Sequence, residues 1–136
     1  MAYEKEKEIA IAAVQAAATV CEKVRAEMVP EAIEKSDKSP VTVADFGAQA
    51  IVCKMLKDAF PSDPIVGEED ADDLKTPEMA ARLAQVTSYV KAALPDATDE
   101  QIPGWIDQGN GSVSPRYWTL DPIDGTKGFL RGDQYQ

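Results

Sequence analysis

Histidine is absent from this 136-residue sequence, and cysteine occurs twice. No stretch stays apolar over the roughly 18 residues that a membrane-spanning helix needs. Without imidazole, histidine-built zinc sites, phosphohistidine catalysis and Ser-His triads within this chain are excluded. Cys21 and Cys53 each lie in an apolar helical pattern, and neither heads a glycine-rich phosphate loop followed by arginine. They read as buried structural thiols rather than nucleophiles. Basic residues are scarce, 14 against 24 acidic, for a net charge of −10. That balance argues against a nucleic-acid polymer or an anionic membrane as partner and suits the binding of hard cations by carboxylates. The N-terminus is charged in both signs and lacks a signal peptide's apolar run, so the cytoplasm is the expected compartment. Acid and base chemistry is left to Asp, Glu, Lys, Tyr or a metal-bound water.

What is present is an alternation of helical and extended patterns. Over 3–28, Ile9, Ala13, Ala16, Val20 and Val24 recur on one helical face, and Pro30 is expected to end that helix. A second helix is expected over 43–59, with Thr42 as its N-cap and Asp45 completing a capping-box-like Thr-x-x-Asp. Its stripe is Ala48, Val52, Met55 and Ala59. Ile65 and Val66 read as a short buried strand. A third helix fits 77–93, with Pro77 in its first turn and Met79, Leu83, Val86 and Val90 on one side. Residues 95–115 read as loop, anchored by Trp105 and Ile106, and 116–120 as a strand. This order predicts layered α and β structure within one small domain.

Three clusters carry chemistry. In Asp121-Pro122-Ile123-Asp124-Gly125-Thr126 the proline keeps Asp121 extended at the strand's end. The turn over Pro122 and Ile123 can bring Asp124 and the Ile123 carbonyl to the same space. Two carboxylates and a carbonyl are ligands that Mg²⁺ accepts, and a helix opening at Thr126 suits a phosphate. A plain Asp-Pro and Asp-Gly turn explains the same residues. Glu68, Glu69 and Asp70 follow the first strand, and with Asp63, Asp72 and Asp73 they place six acids and no base across 62–73. A bound cation would relieve their repulsion, and a solvated acidic loop is the rival reading. Asp45 is either a cap or a site residue. Lys127 and Arg131 flank the phosphate region, as substrate-neutralising groups or as surface partners.

Taken together, Ser39-Pro40-Val41-Thr42-x-x-Asp45, Val66-Gly67-Glu68-Glu69 and Trp118-x-Leu120-Asp121-Pro122-Ile123-Asp124-Gly125-Thr126 resemble the lithium-sensitive, Mg²⁺-dependent inositol monophosphatase superfamily. The extension Lys127-Gly128-Phe129-Leu130-Arg131-Gly132-Asp133-Gln134 is similar to that of the fungal and plant 3′(2′),5′-bisphosphate nucleotidases. The resemblance implies a layered α/β sandwich, of which 1–136 would be the N-terminal part with the C-terminal half absent. It implies hydrolysis of the 3′-phosphate of 3′-phosphoadenosine 5′-phosphate, formed in sulfate assimilation, to give AMP. Glu68, Asp121, the Ile123 carbonyl and Asp124 would hold Mg²⁺. Asp45 would help place a further metal or the attacking water, Thr126 would hydrogen-bond that water, and Gly125 and Thr126 would receive the phosphate. The partner would be a small phosphorylated nucleotide, and inositol phosphates are the alternative substrates. Another metal-binding aspartate and most nucleotide contacts belong to the family's C-terminal half, so this chain alone is expected to be inactive.

Overall fold

The computed structural model describes residues 3–35 and 39–123. Helix α1 spans Glu4–Lys35 and α2 spans Ser39–Ala59. Strand β1 (Ile65–Gly67) follows, then short 3₁₀ turns at Ala71–Leu74 and Pro77–Met79. Helices α3 (Ala80–Ala93) and α4 (Gln101–Asp107) precede strand β2 (Trp118–Leu120). Helices plus a small two-stranded parallel sheet are consistent with an incomplete α/β fold. No helix among the described residues is long and apolar enough to cross a membrane.

Alanine-rich α1 lays Ala13, Ala17, Val20, Cys21 and Val24 against α2 as a buried face, with Ile9 and Ala16 partly buried beside it. Contrary to expectation, the helix does not stop at Pro30 but runs to Lys35. A proline's φ is itself helical, so the ring costs a hydrogen bond and some crowding, and good helix formers beyond it carry the helix on.

Helix α2 starts earlier than the expected 43–59, at Ser39, with Pro40 in its first turn. Thr42 and Asp45 therefore stand inside the helix, and the capping box does not form. Over 43–53 this helix is buried on nearly every side, wider than the expected stripe, because α1, α3 and α4 all pack on it. Gly47 permits the close approach of α1: a Cβ there would lie 3.3 Å from Val20 Cγ1. Both cysteines are buried and free. Burial pushes each thiol up to about 12, which leaves them inert at neutral pH.

The segment 95–115 is not wholly irregular, since α4 lies within it. Pro103 and Gly104 hide that helix from a propensity reading. The local signal is Thr98-x-x-Gln101 leading into the helix: the Thr98 N–H donates to Gln101 Oε1 at 3.0 Å. Gln101→Ala is expected to cost about 1 kcal/mol, read as a lower urea midpoint at an unchanged slope. Ile106 is fully buried, and Trp105 packs on the core with Lys54 Nζ 5.6 Å from its ring centroid, so both anchor the segment as expected.

Candidate active site

The site begins with strand register. In the parallel pair, Ile65 faces Trp118, Val66 faces Thr119 and Gly67 faces Leu120. The next residue on each strand is an acid, Glu68 on one and Asp121 on the other. Parallel pairing therefore delivers two carboxylates side by side at the carboxyl ends of both strands, where α/β proteins place ligands. Side-chain hydrogen bonding with Asp121, then burial and the Asp121 charge, hold the Glu68 carboxyl above its ordinary value. Two carboxyl groups that close favour a proton or a cation between them.

Helix α2 presents Asp45 to the same place. Burial first, then Glu69, Glu68 and Asp121, push its carboxyl from 3.8 up to about 8. With no capping role available, the rival explanation of Asp45 is gone. Glu69, which the sequence reading did not single out for a role, joins the group: burial, then Glu68, Asp73 and Asp121, raise its carboxyl. Its signal was adjacency to Glu68 in an acidic run.

Three other acids of that run, Asp63, Asp70 and Asp72, are engaged locally. Asp63 Oδ2 accepts from Arg116 Nε at 2.8 Å and from Trp118 Nε1 at 3.2 Å. Asp70 accepts from the Asp72 N–H at 3.0 Å, capping a 3₁₀ turn, and Asp72 pairs with Lys75 at 3.0 Å. Ile123 is 5% exposed, with its side chain in the core, and Pro122 is buried beside it, which fixes the backbone directly after Asp121. Asp124, Gly125, Thr126, Lys127 and Arg131 lie outside the described residues.

The donor chemistry fits a hard cation: carboxylates from three elements, crowded so that a positive ion relieves their repulsion. Among the described residues, no group of three or more Asp, Glu or Cys side chains is close enough to hold one ion by itself. What they supply is the pair Glu68 and Asp121, with Asp45 and Glu69 facing it.

A single amide supports this arrangement. Gln49, fully buried on α2, donates from Nε2 to the Glu69 carbonyl at 2.7 Å and to the Ile106 carbonyl at 2.9 Å. Its Oε1 accepts from the Glu69 N–H at 3.0 Å.

The chain is 49% identical over 152 residues to a Schizosaccharomyces pombe protein named 3′(2′),5′-bisphosphate nucleotidase, covering 99% of this chain and 42% of that relative. It is 45% identical to 3′(2′),5′-bisphosphate nucleotidase 1 of Arabidopsis thaliana and 44% identical to the Emericella nidulans protein of the same enzyme name, with 99% of this chain and 42% of each relative covered. The chain thus spans well under half the length of these relatives. Residues 4–135 match the model of the inositol monophosphatase family, and the chain belongs to that family.

Proposed function

We propose that residues 1–136 supply the cation- and phosphate-facing part of a Mg²⁺-dependent 3′(2′),5′-bisphosphate nucleotidase, a cytoplasmic enzyme built as a layered α-β sandwich. The observation that carries the reading is that Glu68 and Asp121 directly follow the last register pair of two parallel strands, Gly67 and Leu120, with the Asp45 carboxyl raised in part by both of their charges. The names of the relatives favour a nucleotide substrate over an inositol phosphate.

In this reading Glu68, Asp121, the Ile123 carbonyl and Asp124 hold Mg²⁺. Bound there, the ion lowers the pKa of a water and neutralises phosphate charge. Asp45 steers the arrangement from α2. Gly125 and Thr126 bind the 3′-phosphate through backbone N–H groups, and the Thr126 hydroxyl and Glu68 orient the attacking water. Attack in line breaks the bond between phosphorus and the 3′ oxygen, releasing AMP and inorganic phosphate. Histidine is not required at any step.

The test grafts residues 1–136 in place of the matching segment of the S. pombe relative. The graft is expected to release phosphate from 3′-phosphoadenosine 5′-phosphate with Mg²⁺ and to be inhibited by Li⁺, while the 136-residue chain assayed alone releases none. A graft that folds yet prefers inositol 1-phosphate would sink the nucleotide assignment.

A further inference from the structure

Gln49 is a fully buried polar side chain in an apolar helix, and its amide is nearly saturated. Two carbonyl oxygens and one N–H surround it, which determines which end is nitrogen. Two glycines make the niche. A Cβ on Gly67 would lie 2.7 Å from Gln49 Oε1, and a Cβ on Gly109 would lie 2.6 Å from Nε2. Neither glycine has positive φ, so space for this amide, not backbone freedom, is what requires them. Gly67 and Gly109 are also joined directly, N–H to carbonyl, at 2.6 Å.

The consequence falls on Glu68. The residue before it packs on the Gln49 amide, and the residue after it is hydrogen-bonded to that amide through both its N–H and its carbonyl. Glu68 is therefore pinned on both sides while its own carboxylate stays free to face Asp121. Gln49 also stands one helical turn beyond Asp45 on α2, so a single rigid element carries Asp45 and sets the height of Glu68. We infer that Gln49 is a positioning residue, holding the Glu68 backbone beside Asp121 so that this pair can serve a cation while Asp45 stands one helical turn from the same amide. This role rests on the cation site proposed above. Glutamate could not replace it, because a second oxygen would face the Glu69 and Ile106 carbonyls. Asparagine is one methylene too short to bridge both.

The experiment measures Mn²⁺ affinity by electron paramagnetic resonance, together with amide hydrogen exchange at Glu69, in the full 136-residue chain. Gln49→Met keeps length and shape but removes every hydrogen bond. It is expected to weaken Mn²⁺ binding by about 10–100-fold, the range seen when groups that orient metal ligands are lost. Glu69 exchange should accelerate at least tenfold. Val86→Ala, a core variant on α3 away from the acids, serves as the stability control: its Mn²⁺ affinity should stay within twofold of the parent's despite a lower melting temperature. If Gln49→Met loses its helical signal, Gly109→Ala displaces the amide without deleting it and should give a smaller loss in the same direction. Unchanged Mn²⁺ affinity and unchanged Glu69 exchange in a folded Gln49 variant overturn the inference alone. A parent chain that binds no Mn²⁺ overturns the cation site and the positioning role with it.

Discussion

Asp45→Asn is expected to raise the melting temperature of the metal-free chain by about 5 °C at pH 8 and to leave it unchanged below pH 4. The Asp45 carboxyl is raised from 3.8 to about 8, first by burial and then by Glu69, Glu68 and Asp121. From α1 the group facing it is the Cys21 thiol, itself pushed up to about 12 and therefore neutral. A raised carboxyl pKa means that the folded chain holds this proton more tightly than the unfolded chain. Between the two values the folded state binds more protons, so stability falls as pH rises from about 4 to about 8. Below that window both states are protonated and nothing changes. A shift of this size would carry several kcal/mol at a fully buried site; Asp45 is only half-buried, and solvent screening leaves about 1–2 kcal/mol. Asparagine mimics the protonated acid and escapes the loss. Glu68 and Glu69, also raised, slope the same way. Thermal scans in chelator across pH 4–8.5 check this. A parent stability that rises with pH over that window would refute it. Added Mg²⁺ should reverse the order at pH 8, because the cation rewards the ionised aspartate and not the amide.

Glu68→Gln in the graft is expected to lower the rate of phosphate release by about 10³-fold, corresponding to roughly 4 kcal/mol of lost cation-borne stabilisation. Glutamine keeps the length of the side chain and can still hydrogen-bond Asp121, so what disappears is one negative charge at the strand end. The same substitution should relieve repulsion in the metal-free protein and raise its melting temperature modestly. Activity and stability therefore move in opposite directions, which a misfolded variant cannot imitate. Initial rates over a Mg²⁺ titration, paired with thermal scans, separate the two. A loss under tenfold would remove Glu68 from the site.

Much of this was readable along the chain because it is local. Alanine-rich periodicity marks α1, the Ile65-Val66 run marks β1, and an acid directly after each strand is legible as a candidate site residue from the chain alone. What could not be read was decided by packing. Pro30 and the early start of α2 defeated end signals that describe isolated helices. Helix α4 carries Pro103 and Gly104 because Ile102 and Ile106 are buried against the core, and burial outweighs propensity. Local sequence leaves Asp45 either a cap or a site residue, and the start of α2 a turn earlier, at Ser39, removes the cap. Gln49 had no local signature at all: its three partners come from segments 20 and 57 positions away.

The parallel register of β1 and β2 also dictates when the site can come into being. Glu68 and Asp121 stand roughly fifty residues apart, and a contact that distant pays its loop-closure entropy before any reward arrives. Helices α3 and α4 lie within that loop, so packing them against the core shortens the span the strands must close. The acids meet only through that long-range pairing, so their mutual repulsion bears on the step that pairs the strands. A cation finds its site only after that step, so its contribution falls on the unfolding rate and not on the rate at which the chain folds.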